Sequence, residues 1–250
     1  MRLIRRGGEG LVFEGRFIPE GAPLHASVRI AAKLPFQRDS TNKEVKLRKK
    51  LGEVEARRRG CVPVSPLLAQ VLHVFSAPWP CMVMKYESES RDLLAVLRSD
   101  GGRPLRWCLR VLYELAFALA VLHDHGMVHG DVAPRNVMVR EDGTVRVIDL
   151  GLSKFVDGMP KVDADEAKAE DVLSMGRIIR RMLHLCRSAS PLRMLWERCV
   201  ADQALSRPLM WEIQEQLENH AKGMLGSKDD PCVFAMPRVE EDDIRTQKIN

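Results

Sequence analysis

The spacing of apolar residues changes along the chain. Between residues 2 and 34 they come in short alternating runs, Leu3-Ile4, Leu11-Val12-Phe13 and, after a Pro/Gly loop, Val28 to Lys33, which predicts a meander of strands. From Ser40 the period lengthens. Ser40-Thr41-Asn42-Lys43-Glu44 has the form of a capping box, and Val45, Leu47, Leu51 and Val54 trace a rough stripe behind it, so a helix is expected there. Leu67–Phe75 and Cys81–Tyr86 read as two further strands, and Leu105–His125 as a long apolar helix. Farther on, the β-branched runs Val137-Met138-Val139 and Val145-Arg146-Val147-Ile148 flank Glu141-Asp142-Gly143-Thr144, whose Asp-Gly pair signals a tight hairpin.

Composition narrows the class. A chain of 250 residues with 45% hydrophobic content can bury one sizeable core or two small lobes. No apolar run approaches the ~18 residues needed to span a bilayer, and MRLIRRGGEG lacks the apolar segment of a secretory signal. The expectation is a soluble cytoplasmic protein, with the nucleus as a second compartment and no membrane partner. Six scattered cysteines (61, 81, 108, 186, 199, 232) form no C-x-x-C pair, which argues for reduced core thiols rather than zinc. The net charge of +5 is mild. Its densest basic stretch, Lys43 to Arg59, reads either as a solvated helix face or as a surface for an anionic partner such as RNA.

The hairpin carries the chemistry. It brings its two ends together, so Asp131 and Asn136 before it and Asp149 after it converge on one point. Two carboxylates and an amide suit magnesium, a hard cation that shares oxygen ligands with phosphate; the plainer reading is that polar residues flank hairpins anyway. Gly7-Gly8-Glu9-Gly10 would let backbone N–H groups approach phosphate, although three glycines also occur in ordinary turns. Lys33 ends an apolar strand and, taken alone, would be a strand-end charge.

Taken together, these residues resemble the protein kinase superfamily. His129-Gly130-Asp131-Val132-Ala133-Pro134-Arg135-Asn136 matches its catalytic loop and Asp149-Leu150-Gly151 its magnesium motif, at the family's interval. The resemblance implies an α+β, two-lobed kinase-like fold over residues 1–221, with a small β-rich lobe to about residue 86, a mainly helical lobe over 87–221, a shortened activation segment, and a flexible tail over 222–250. It implies ATP and Mg2+ as cofactors and a protein substrate, with no DNA partner. Asp131 would orient the acceptor hydroxyl, and Asn136 and Asp149 would hold metal. Lys33 and Arg135 would lie on phosphates, and Gly7 and Gly10 would cover them, with Val12 and Ala31 against the adenine. Val83-Met84-Lys85-Tyr86 resembles the entrance to the hinge, placing Met84 as gatekeeper and the backbone of Lys85, Tyr86 and Glu87 on the base. Glu44 is the favoured partner of Lys33, with Glu53 and Glu55 as alternatives. Asp171-Val172-Leu173-Ser174-Met175-Gly176 resembles the start of the family's buried central helix.

The departures are local. Arg5 stands at the first glycine of the phosphate loop, Gly130 replaces an arginine and Ala133 a lysine, and no A-P-E follows Asp149. Arg207, whose counterpart pairs with the A-P-E glutamate, then needs another acid; Asp163, Asp165 and Glu166 are candidates, Glu166 foremost. The glycine loop, H-G-D and Ile148-Asp149-Leu150-Gly151-Leu152-Ser153 look most like the small atypical kinase of the KEOPS tRNA-modification complex. Three functions follow from these resemblances: a kinase acting on a protein Ser/Thr hydroxyl, a KEOPS-like ATPase supporting tRNA modification, and a nucleotide-binding scaffold.

Overall fold

The alternating N-terminal third forms a five-stranded antiparallel sheet in the order β1-β2-β3-β5-β4, from β1 (Arg2–Arg6), β2 (Gly10–Phe17), β3 (Val28–Pro35), β4 (Val71–Phe75) and β5 (Cys81–Lys85). Its register sets Val12 opposite Lys33 and Ala31 opposite Met84. The computed structural model describes residues 1–8, 10–18, 21, 27–58, 62–99, 101–186 and 190–224. Where β2 meets β3, a Cβ on Gly10 would overlap the Leu34 carbonyl and lie 2.9 Å from Pro35 Cα. Strand packing therefore requires a glycine here, whether or not a phosphate approaches.

Helix α1 (Arg38–Arg57) leaves the sheet after β3, with Gln37 as its N-cap residue. Ser40 and Thr41 thus lie inside the first turn, past the cap position. The glutamate expected to close the capping box is engaged elsewhere: Glu44 accepts from Lys33 and Arg48. The basic stretch on this helix is partly built into the fold. Arg48 also donates to the Ala69 carbonyl, Arg58 to the Asp124 carbonyl, and Lys50 Nζ lies 4.0 Å from the centre of the Phe155 ring.

The second lobe is mainly helical: α2 (Leu93–Arg98), α3 (Leu105–Asp124), α4 (Lys161–Leu185), α5 (Ser190–Cys199) and α6 (Met210–Met224). Two small sheets sit on it, one of β6 (Ser90–Asp92), β8 (Val137–Arg140) and β9 (Val145–Val147) in the order β6-β8-β9, the other pairing β7 (Met127–Val128) with β10 (Lys154–Phe155). The expected hairpin is β8–β9, closed by Gly143 at φ +88° and by hydrogen bonds from Thr144 to Asp142. Leu112, Leu115, Leu119 and Leu122 of α3 are buried together with Met175, Ile178, Ile179 and Met182 of α4 and with Ile213 and Leu217 of α6. Lys222 to Met224, expected in the tail, belong to α6; residues 225–250 lie outside those described. The four described cysteines, Cys81, Cys108, Cys186 and Cys199, are free thiols. Among the described residues no helix is long and apolar enough to cross a membrane.

A carboxyl lies within the apolar face of α3. Glu114 is 3% exposed, its closest cation Arg110 Nε being 3.9 Å away. Burial pushes its pKa up to about 7, more than Arg110 pulls it down. The native chain therefore keeps a proton that the unfolded chain releases at its ordinary 4.5. This group's contribution to stability falls as pH rises across that window and is flat above it. Urea titrations at several pH values should show that slope, and Glu114→Gln should remove it.

The acid facing Arg207 is Glu170, not Glu166. The helix expected to open at Asp171 is already formed at Lys161, so Glu170 lies one turn beyond Glu166 on the same helix. Arg207 Nη1 donates to Glu170 Oε1 at 2.8 Å and to the Ala169 carbonyl at 3.0 Å, and Nε donates to the Ala201 carbonyl at 2.9 Å. The guanidinium is 7% exposed and the Glu170 side chain 64%. Arg207→Ala should therefore cost about 2–4 kcal/mol, because two backbone acceptors lose a charged donor. Glu170→Ala should cost about 0.5 kcal/mol, as an exposed partner does. Urea melts giving equal losses would show that the ion pair, rather than the carbonyl contacts, carries the joint.

Candidate active site

The catalytic loop hangs from one buried carboxylate. Asp171 of α4 accepts from the backbone N–H of His129 at 2.8 Å and of Gly130 at 2.9 Å, while His123 Nε2 lies 2.9 Å from its Oδ2. Burial works against the ionised form, but the His123 hydrogen bond and the surrounding imidazoles and N–H groups hold the Asp171 pKa below its ordinary value. Gly130 sits at φ +75°, and a Cβ on it would lie 2.7 Å from the Leu152 carbonyl. Glycine is thus the residue that lets the returning segment pack against the loop, where the resembling family carries an arginine. Ser153 Oγ donates to the His129 carbonyl at 2.8 Å and closes the same joint.

Within the loop, Asp131 and Asn136 are adjacent. Asn136 Nδ2 donates to Asp131 Oδ2 at 2.7 Å and to the Asp131 carbonyl at 3.0 Å. Arg135, expected on phosphate, folds back onto Asp131, one nitrogen reaching both carboxylate oxygens at 2.5 and 2.7 Å. Its charge is thus paired with Asp131. Another cation enters instead: Arg5 of β1 donates to the Arg135 carbonyl at 2.7 Å and to Asn136 Oδ1 at 3.2 Å, tying the first lobe to the loop.

Asp149 follows β9 at φ +67°, a left-handed conformation uncommon outside glycine. Its Oδ1 accepts from Lys33 Nζ at 2.6 Å and from the Gly151 N–H at 3.3 Å. Lys33 Nζ also lies 3.1 Å from Glu44 Oε2, so strand, helix and post-hairpin turn meet at one ammonium. Burial alone would depress the Lys33 pKa; the Glu44 and Asp149 charges outweigh it and hold it above the ordinary value. Burial would likewise raise both acids, yet Arg48 and Lys33 keep Glu44 low and Lys33 keeps Asp149 low. Of the alternative partners, Glu53 is exposed, and Glu55 accepts from the backbone N–H groups of Val64 and Ser65 instead.

The hinge residues fall at the end of β5. Ala31 and Met84 are neighbours across β3 and β5. The N–H groups of Lys85 and Tyr86 donate to the Gln70 and Arg29 carbonyls. The Glu87 carboxylate turns to Arg140 at 3.5 Å and Arg146 at 3.9 Å on the β8–β9 hairpin. Gly7 closes a turn by donating its N–H to the Gly10 carbonyl at 2.9 Å, and Val12 stands beside Lys33.

Sequence reasoning assigned no role to Asp171, Arg5 or Arg48. Asp171 opens the Asp171-to-Gly176 motif and Arg5 stands where the family has a glycine, so both carry a signal in the sequence; Arg48 carries none beyond its i,i+4 spacing from Glu44.

With this geometry in place, similarity to known proteins can be weighed. Serine/threonine-protein kinase ppk31 of Schizosaccharomyces pombe is 33% identical over 87 residues, 35% of this chain and 8% of that protein. Serine/threonine-protein kinase cek1 of the same yeast is 31% identical over 91 residues, 36% and 7% of the two chains. Serine/threonine-protein kinase PknA of Mycobacterium tuberculosis is 38% identical over 68 residues, 27% and 16%. The chain thus matches only a small part of the length of each. The family described as protein tyrosine and serine/threonine kinase matches residues 1–172. That is more than half of the chain and takes in Lys33, the whole catalytic loop, Asp149 and Asp171, and the chain therefore belongs to the protein kinase family.

Proposed function

We propose that this chain is an ATP- and magnesium-dependent kinase that transfers the γ-phosphate to a protein serine or threonine hydroxyl. The observation that carries the reading is the convergence of Lys33, Glu44 and Asp149 at one ammonium, at the end of the β8–β9 hairpin where Asn136 accepts from the Ile148 N–H and donates to Asp131. A scaffold that only bound nucleotide would not need every one of these groups.

The donor set fits magnesium. Among the described residues no group of three or more His, Cys, Asp or Glu could hold a metal, whereas Asp149 and the Asn136 amide oxygen supply two hard ligands to an ion that takes the rest from phosphate and water. When bound, the ion would neutralise charge on the transferring phosphates. Lys33, fixed by Glu44, positions the phosphates. Asp131, fixed by Asn136, accepts the hydrogen bond of the incoming hydroxyl and so aims it at the phosphorus. Loading the metal site requires Arg5 to leave Asn136 Oδ1, and release of Asp131 from Arg135 frees the carboxylate for the acceptor.

Labelled ATP offered to the full chain, first alone and then with a protein mixture and with RNA, tests the reading. The expected result is label on protein serine or threonine, lost when EDTA removes the metal. ATP consumption that needs RNA and labels no protein would favour the tRNA-modification ATPase, and absence of any turnover would favour the scaffold.

A further inference from the structure

Beside Asp131 lies a cavity of about 370 Å³ whose lining does not include Lys33. One wall is the catalytic loop from Asp131 to Arg135; the other is Ser174, Arg177, Ile178 and Arg181, which at spacings i, i+3, i+4 and i+7 form one face of α4. No residue between Asp149 and Pro160 takes part. The shortened segment therefore leaves open the wall past which an acceptor must run to reach Asp131.

The charge of this wall is lopsided. Its single acid, Asp131, is already matched by Arg135. Arg177 and Arg181 are both exposed, and neither has an acidic partner among the described residues. Some other surface arginines are paired or stacked, Arg193 with Glu197, Arg103 with Glu141 and Arg180 on the Trp196 ring; what sets Arg177 and Arg181 apart is that they share one cavity wall beside Asp131. Two like charges one turn apart repel, so the pair is held at a cost that a ligand carboxylate would relieve.

Resting on the kinase reading, we infer that this cavity recognises acidic side chains flanking the acceptor hydroxyl, so that the protein selects serine or threonine within an acidic segment of its substrate. Guanidinium groups take carboxylates in forked pairs. Val132, Ala133, Pro134 and Ile178 give the aliphatic stem of a glutamate an apolar wall. The lining contains no aromatic ring on which a base could stack, which disfavours a nucleic-acid strand as occupant.

The test compares serine peptides flanked by glutamate with the same peptides flanked by lysine, using the full chain, its Arg177→Glu and Arg181→Glu variants and the double variant. The glutamate series should be preferred by roughly tenfold in kcat/KM. Each charge reversal should erode that ratio, and the double variant should invert it, while ATP hydrolysis without peptide stays unchanged. Should the double variant not fold, Arg177→Gln and Arg181→Gln read the same ratio. Equal phosphorylation of both series by the unmodified chain would overturn this inference and leave the kinase reading standing. A ratio untouched by the variants, or RNA that blocks peptide phosphorylation only while both arginines are present, would overturn it as well. A chain that uses no ATP and labels no peptide would sink both readings together.

Discussion

Asp149→Asn should abolish most magnesium-dependent ATP turnover, by roughly a hundred- to a thousandfold, in a chain that still folds. The substitution keeps the shape and the hydrogen bond from the Gly151 N–H but removes a negative charge from between the metal site and Lys33. On the proposed reading, both the neutralisation of the phosphates and the position of the ammonium would depend on that charge. The fold should tolerate the change because Asp149 is one of two acids on Lys33, and Glu44 remains. Thermal melting and ATP turnover in magnesium, measured on the same preparation, check both halves. Near-full turnover would remove Asp149 from the metal site.

Lys33→Met should lower kcat/KM for ATP by roughly a hundredfold, through both terms. The ammonium is buried and shared by two carboxylates, so its loss removes a phosphate contact and also leaves Glu44 and Asp149 facing each other with less compensation. Arg48 still neutralises Glu44, which limits the structural damage. The companion variant Glu44→Gln should be milder, since Asp149 continues to hold the lysine; Glu53→Gln should be silent, because Glu53 is exposed. If Glu53→Gln proved as damaging as Glu44→Gln, the pairing would have to be reassigned.

How much of this was legible beforehand depended on distance along the chain. Asp131, Asn136 and Asp149 flank a single hairpin, so β propensity and one Asp-Gly turn sufficed to bring them together. The strand end alone makes Lys33 no more than a surface charge; its role follows from the resemblance, through its place between the glycine loop and the catalytic loop. Nearness to the strand favours Glu44 over Glu53 and Glu55, and the structure pairs Glu44 with Lys33; what the sequence does not show is where the other two go, to solvent and to the backbone of Val64 and Ser65. Arg5 reaches a loop 130 residues away, and local pattern carries no information about such a pair. The sequence points to Glu166, one turn before Glu170, because the motif marks α4 only from its buried Asp171. Its first turns are exposed and polar, with no apolar period to mark them.

The short return from Asp149 to α4 also decides where this protein can be addressed by modification. Between those points the chain carries a single hydroxyl residue, Ser153, with no threonine or tyrosine. Ser153 is fully buried and donates to the His129 carbonyl. A phosphate there would have to break that bond and bring its charge into a closed joint around His129, whose N–H is held by the Asp171 carboxylate. A covalent switch on this stretch would dismantle the catalytic loop rather than order it. Phosphorylation that left the loop intact would have to fall outside residues 150–160.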